Sequence, residues 1–469
     1  MKYNKKIYAF DLGIYNPYKM SNSEIKVNKA EKENKILFGE EKEWEVRFDN
    51  SYPNVFFDKN NNLYRCYYST FTKDEESSKY SLEERKGRQY KPMSKRIVSL
   101  CYAESKDGIN WEKPILGITE FNGSKENNII GHFLHGTSVM YDEHETDKNK
   151  KYKMFTKIDY GNGIHFIAVA FSEDGIHFGD FIKVHNFNPR ADTHNSIIYD
   201  ESINRYVLMT RTWRDSLRIP CVSFSQDFIN WSPIKEALPS RGFKNQIYSM
   251  PMFKRGDYIL GLASMFHEGD RMDENFDKVD LELTYTYRYT AWNYIEPDAS
   301  FIERGKGNYQ DSFDSGCIYS SAPVEIGDKT YFYYVGGNGQ HTNFREGHLA
   351  RAYIKNDRYA YITNKRKDCE AIVYTNGFIF LDDDVYLDAD IETSGYIKVE
   401  LFENNHDRVE DIDVKLVKYG EKYKLVFDKA SRERKLTRLQ FTIKNAKIYS
   451  IEGSLDVFRV ESSNELLRL

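Results

Sequence analysis

The 469-residue chain has no CxxC pair, and its five cysteines, Cys66, Cys101, Cys221, Cys317 and Cys369, are odd in number and widely spaced. That pattern argues against a disulfide framework or a structural zinc site and for a reducing compartment. No apolar run approaches the ~18 residues of a membrane-spanning helix. The short apolar piece near the N-terminus is broken by Asp11 before a signal-type core can form. The expected location is therefore cytoplasmic, with no membrane partner. An excess of one charge sign is also missing: 67 Lys+Arg against 72 Asp+Glu leave a net charge of -5, which offers no electrostatic case for nucleic acid or an anionic membrane. Proline is scarce at 11 residues, whereas Tyr (36) and Phe (30) are abundant. Aromatics favour half-buried pleated surfaces, so the chain is expected to be ordered and strand-rich. Its length exceeds what one hydrophobic core serves, which predicts two domains.

A repeat organises most of the chain. Three segments share an apolar-apolar-aromatic-Asp ending: Val55-Phe-Phe-Asp58, Val139-Met-Tyr-Asp142 and Ile197-Ile-Tyr-Asp200. Each is followed by a polar turn and a second aromatic-rich strand, and looser copies begin near Ser249 and Ala322, which makes five hairpins. A second feature interleaves with them. Ser105-Lys-Asp-Gly-Ile-Asn-Trp111 and Ser225-Gln-Asp-Phe-Ile-Asn-Trp231 match S-x-D-x-x-x-W, Ser172-Glu-Asp-Gly-Ile-His-Phe178 carries Phe for Trp, and Thr286 to Trp292 is a decayed fourth copy. In such a turn the Asp bonds its own following amides, Gly accepts a positive φ and the aromatic packs beneath. Four strands per period of roughly 50 to 70 residues is the pattern of a β-propeller blade.

The sequence thus predicts an all-β chain: an N-terminal lead-in over 1–44, a five-bladed β-propeller over 45–368, and a β-sandwich over 369–469, where period-two runs such as Gly395 to Phe402 and Leu439 to Ile443 replace the repeat. Charged excursions at 72–90 and 268–277 read as surface lobes or lids.

Inner propeller strands line a central channel, so the polar residues that head them converge from different blades. Those heads contain Asp49 and Asn50; His132 and His135; Arg190, Asp192 and His194; Gln246 and Tyr248; Asp311 and Asp314. Any one of them could simply cap a turn or bond a neighbouring strand. Their recurrence at one repeat position favours a shared site. Carboxylates, histidines and aromatics facing one channel suit a sugar, with aromatic faces for the ring and paired carboxyls for acid and base work. With no HxH or HxxxH pair, neither a metal nor another cofactor is expected.

The five-hairpin count, the carboxylates at inner-strand heads and the C-terminal strand-rich region resemble the five-bladed propeller glycosidases, the invertase-like and arabinanase-like enzymes of glycoside hydrolase families 32 and 43 and their relatives. That resemblance implies a glycoside hydrolase acting on a small or oligomeric glycan. Such enzymes carry an Asp in blade one as nucleophile or base, an orienting Asp in blade two and a Glu acid in blade three. Asp49 matches in kind, whereas His135 and Asp192 stand where Asp and Glu are expected. The expected catalytic groups are Asp49 as nucleophile or base and Asp192 as orienting carboxylate or acid, with Asp314 or Glu268 as alternative acids. Asn50, His135, Arg190, His194, Gln246, Tyr248 and Asp311 are the expected substrate contacts. The alternatives are a glycoside phosphorylase, its phosphate held by Arg190, His194 and His135, and a non-catalytic glycan-binding propeller. The S-x-D-x-x-x-W turns also resemble those of sialidases, whose six blades fit the hairpin count less well.

Overall fold

The structure, a computed structural model, describes residues 5–48, 51–85, 88–92, 95–161, 163–187, 189–307, 311–403, 413–427 and 435–459. It is nearly all β and divides into two compact units. The larger comprises Ala30–Tyr294 and Ser300–Tyr353, and the smaller comprises Met1–Lys29, Ile295–Ala299 and Ile354–Leu469. The segment read as a lead-in is shared between them. No helix among the described residues is long and apolar enough to cross a membrane.

The larger unit is built from antiparallel meanders. The first runs Asn54–Asp58, Leu63–Asp74, Arg96–Ser105 and Trp111–Glu112, with Ile129–His132 also on Arg96–Ser105. The second is Leu134–Tyr141, Tyr152–Asp159, His165–Ser172 and Ile182–Lys183, and the third is Ser196–Asp200, Arg205–Arg214, Leu217–Ser225 and Lys235–Glu236. A larger sheet holds two further meanders joined by one parallel pairing, Val279 opposite Cys317. The last of them takes its edge from the N-terminal side of the chain: Glu31–Lys32 and Phe38–Gly39 both pair with Gly347–Lys355. Second strands such as Tyr152–Asp159 are buried on both faces, so the charges inside them, Lys153 and Lys157, need partners.

The aspartates that end the repeat have a physical role. Each is buried and receives a tyrosine hydroxyl from the next meander: Tyr152 to Asp58, Tyr206 to Asp142 at 2.5 Å and Tyr289 to Asp200 at 2.6 Å. A cation completes each one, Arg65 on Asp58, Lys153 on Asp142 and Lys254 on Asp200. The repeat therefore encodes an inter-sheet staple made of charge-assisted bonds. The interleaved turns close as their residues require. Asp107, Asp174 and Asp227 each accept the amides two and three residues on, at 2.7–2.9 Å. Tyrosines of neighbouring sheets donate to two of these turns, Tyr67 to the Gly175 carbonyl and Tyr333 to the Gly108 carbonyl.

The smaller unit is one eight-stranded sheet dominated by two long strands, Phe378–Phe402 and Leu436–Val457. Alternate side chains, Leu439, Phe441 and Ile443 opposite Val399 and Leu401, enter a single apolar core with Leu387, Leu425 and Leu455.

Candidate active site

The site is organised by a close approach of two strand heads. Gly136 follows His135 at φ +60, and a Cβ there would lie 1.9 Å from the Thr193 carbonyl oxygen. Only glycine admits the 191–195 segment so near. Asn195 seals the approach, since its backbone amide and its side-chain amide both donate to the Gly136 carbonyl, at 3.2 and 2.7 Å. Asp192 is thereby brought against the second sheet.

There its carboxylate meets His135 Nε2 at 3.0 Å, Lys157 Nζ at 3.5 Å and the Arg211 guanidinium at 3.9 Å. His135 and Lys157 are cross-strand partners, so the pairing register sets the cluster on its first side. Arg211 is held on the other by the backbone carbonyls of Asp192 and Tyr248. The hydrogen bond from His135, reinforced by the Lys157 and Arg211 charges, holds the Asp192 carboxyl well below the usual carboxylate range. It stays 48% exposed, so it is both ionised and accessible.

Beside it lies an aromatic and guanidinium wall. Arg211 sits 4.8 Å from the Tyr248 ring centre, and Arg218 lies 4.5 Å from that of Trp213, whose indole is 42% exposed. Glu268 accepts from Arg218 at 2.6 Å and from Gln246 Nε2 at 2.7 Å, while Gln246 Oε1 accepts the Arg218 amide at 3.0 Å. The wall continues into His341, whose ring is 4.4 Å from that of Tyr248 and whose Nδ1 is 2.7 Å from the Tyr319 hydroxyl. The His341 backbone N–H bonds the Asp277 carbonyl at 2.6 Å.

Asp277 is a residue the sequence reading passed over as part of a lobe. It is buried, and burial raises its carboxyl above the ordinary range, although Thr342 donates to it twice and Arg345 pulls the other way. Glu268 is near enough for its charge to add to the rise. The signals for Lys157 and Arg211 were visible: both follow a threonine in the second strand of their sheets, Phe155-Thr-Lys157 and Met209-Thr-Arg211. A charge inside an otherwise buried strand calls for a partner: Lys157 finds Asp159 at 2.9 Å and Asp192 at 3.5 Å, and Arg211 finds Asp192.

The structure thus brings Asp192 together with His135, and Gln246 with Glu268 beside Tyr248. Other candidates go elsewhere. Arg190, an expected substrate contact, is exposed and has no ion pair among the described residues; the cations beside Asp192 are Lys157 and Arg211. His194 does not share a face with Asp192. It is buried, stacked on Tyr52 at 4.9 Å, and burial pushes its imidazole down to about 3. Its strand lines a separate cavity of about 290 Å³ with Asn54, Ser138 and Ser321. Asp314 is fully buried and held by Lys32 and Tyr334, each at 2.9 Å, and by Ser312 at 2.7 Å. Asp311 is exposed on the loop before it. Asp49 and Asn50 lie outside the described residues.

No protein-family model matches the chain, and no curated protein sequence does. Among solved structures it is similar to an N-acetylgalactosamine deacetylase from F. plautii bound to blood group B trisaccharide, at 14% identity and TM-score 0.48 over 72% of this chain and 96% of that one. It is similar also to a glycosyl hydrolase from Bacteroides ovatus (14%, 0.47, 71% and 96%) and to the β-1,2-mannobiose phosphorylase from Listeria innocua (12%, 0.43, 75% and 96%). These three are carbohydrate-acting proteins, and at such identities none of them carries a residue role across to this chain.

Proposed function

We propose that the chain is a glycoside hydrolase acting on a small or oligomeric glycan at the Asp192 site. The observation that supports this most is an accessible carboxylate, Asp192, beside the Tyr248 and Trp213 wall, with a second carboxyl, Asp277, tied to that wall through His341. The His135 hydrogen bond and the Lys157 and Arg211 charges hold Asp192 ionised, and burial pushes Asp277 towards its protonated form. Carboxyls that differ in this way suit glycoside cleavage, which needs one proton donor for the leaving oxygen and one charge for the cationic transition state. The exposed Trp213 face and the Tyr248 ring supply the apolar platform on which a pyranose stacks.

In this reading Asp192 is the orienting carboxylate, Asp49, which precedes the first repeat in sequence, the nucleophile or base, and Asp277 the acid. Glu268, engaged by Arg218 and Gln246, orients the wall. The meanders of the larger unit are then the five blades of a propeller, and the smaller unit is a β-sandwich made by its one sheet folding over along the long strands Phe378–Phe402 and Leu436–Val457. The five free thiols suit the cytoplasm. A second reading, a glycoside phosphorylase, is favoured by the His135, Lys157 and Arg211 cluster, which could receive phosphate where Asp192 now sits among the cations.

A screen of oligosaccharides and aryl glycosides with and without phosphate, on wild type, Asp192→Asn and Asp277→Asn, tests both. Phosphate-independent turnover lost in both variants is the expected result. Turnover that requires phosphate would select the phosphorylase, and glycan binding with no turnover in any of the three proteins would leave a binding module.

A further inference from the structure

Beside Asp277 the larger unit has a second cleft, of about 280 Å³, lined by Arg88, Glu274, Lys278, Ser315, Asn338 and Gln340. Its volume is near the small end for ligand clefts, ~300–1,000 Å³, and suits one sugar ring. Two features set it apart from an ordinary surface groove. First, Lys278 lines it half-buried and has neither an ion pair nor a side-chain hydrogen bond among the described residues. Burial and the neighbouring Arg304 charge both lower the lysine from its ordinary range, so an anion placed there would relieve an existing cost. Second, of the two carboxylates near it only Asp280 is committed to other cations, while Glu274 stands on the cleft's own rim without bonding the lysine. Asp280 is held by His267 Nε2 and by Arg304 Nε, both at 2.7 Å, and Glu274 is exposed at the rim. Arg88, also exposed, adds a second cation, anchored through its Nε on the Glu84 carbonyl at 2.8 Å. Gln340 donates its amide N–H to the Phe276 carbonyl at 3.2 Å, which leaves its side-chain oxygen for a hydroxyl.

The cleft adjoins the Asp192 site through shared segments. Asp277 precedes Lys278, and Gln340 precedes His341, whose ring packs on Tyr248. We propose that this cleft is a sugar subsite selective for an anionic residue, a uronate or a sugar phosphate, with Lys278 pairing with the charge and Arg88 assisting at the rim. The inference rests on the glycan-acting reading for its biological sense, and on the cleft alone for its binding.

Binding is therefore measured without turnover, by isothermal titration of D-glucuronate, D-galacturonate, D-glucose 6-phosphate, D-glucose and inorganic phosphate into wild type, Asp192→Asn, Lys278→Met and Arg88→Gln. The expected result is at least tenfold tighter binding of an anionic sugar than of glucose. That preference should survive Asp192→Asn, be lost in Lys278→Met and be reduced in Arg88→Gln, which changes an exposed residue and keeps the test informative should Lys278→Met fold poorly. A uronate preferred over the phosphate ester, or the reverse, identifies the source of the charge. Equal affinity for glucose and the anions, anion binding unaffected by both substitutions, or inorganic phosphate binding as tightly as the sugars would overturn the proposal. Turnover of neutral glycosides without an anion preference would sink this subsite and leave the hydrolase reading standing. A Lys278-dependent preference without any turnover would do the opposite.

Discussion

At the scale of single residues, charge and burial assign different work to groups that look alike in sequence. Asp192 and His194 are two positions apart, yet one is a half-exposed carboxylate beside Lys157, Arg211 and the His135 ring, and the other is a buried ring stacked on Tyr52. Asp192→Asn keeps the shape and removes the charge. It should lower kcat/KM by about 10²–10⁴-fold, the range for a positioned ionising group, and change the melting temperature only modestly, since Asp159 still faces Lys157 and the Asp192 and Tyr248 carbonyls still hold Arg211. A large loss of melting temperature with activity retained per folded molecule would make Asp192 a structural cap. His194 predicts a pH effect. Its folded value of about 3 lies below the ~6.5 of an unfolded histidine. Between those values the unfolded chain binds a proton the folded chain refuses, so His194 erodes stability as the pH falls through this window, by at most about 1.4 kcal/mol per pH unit. Glu40 acts with the opposite sign, because burial raises its carboxyl to about 7 and its proton is lost as the pH rises towards that value. His194→Phe, which preserves the stack on Tyr52, should flatten the acid-side fall of denaturation midpoints between about pH 6 and 4. An unchanged slope would show that His194 does not report the titration.

At the scale of elements, the repeat works by pairing a strand end with the next sheet. Tyr206→Phe removes one hydroxyl and leaves Asp142 buried with Lys153 as its remaining cation. The loss should be about 1.5–3 kcal/mol, the value of a hydrogen bond to a charged group, measured by urea denaturation. A loss below ~0.5 kcal/mol, the range of ordinary surface changes, would mean the staple is decorative. The turns are tied to the staples, since Arg65, the cation on Asp58, also donates to the Asp174 carbonyl at 2.8 Å. Gly175 has φ +77, and a Cβ there would meet the Tyr67 hydroxyl at 2.6 Å and the Tyr152 ring at 2.8 Å, so even alanine strains both the backbone and its neighbours.

At the scale of the larger unit, the last sheet is completed by strands from the start of the chain, and one ion pair reports on that closure. Lys32, on the edge strand Glu31–Lys32, reaches the fully buried Asp314 at 2.9 Å. Lys32→Met would leave a buried carboxylate with only its Tyr334 and Ser312 hydrogen bonds, a loss of about 3–5 kcal/mol for a broken buried pair. The double variant Lys32→Met, Asp314→Asn should recover part of it. Failure of the double variant to recover any stability would show that the pair does not hold the edge. Activity per folded molecule in Asp314→Asn should stay near wild type, since the Asp314 carboxylate is already taken up by Lys32, Tyr334 and Ser312. Loss of turnover in a well-folded Asp314→Asn would return it to the catalytic set.

What the amino-acid sequence determined by itself is local and periodic. Hairpins, S-x-D-x-x-x-W turns and the aromatic-Asp strand ends were legible because each depends on neighbours within about ten residues, where pleat alternation and side-chain to backbone bonding decide conformation. His135 and Asp192 were found for the same reason, as polar heads at a repeated position. Which charges surround Asp192 was decided only in three dimensions. Lys157 arrives by cross-strand register and Arg211 through carbonyls of two separate segments, and Gly136 permits the approach that brings them together. Asp277 read as the end of a charged lobe in sequence, and tertiary burial is what raises its carboxyl and leaves the next residue, Lys278, in a cleft with no carboxylate bonded to it. Ionisation depends on desolvation and on charges within a few ångströms, and neither quantity is a property of sequence neighbours.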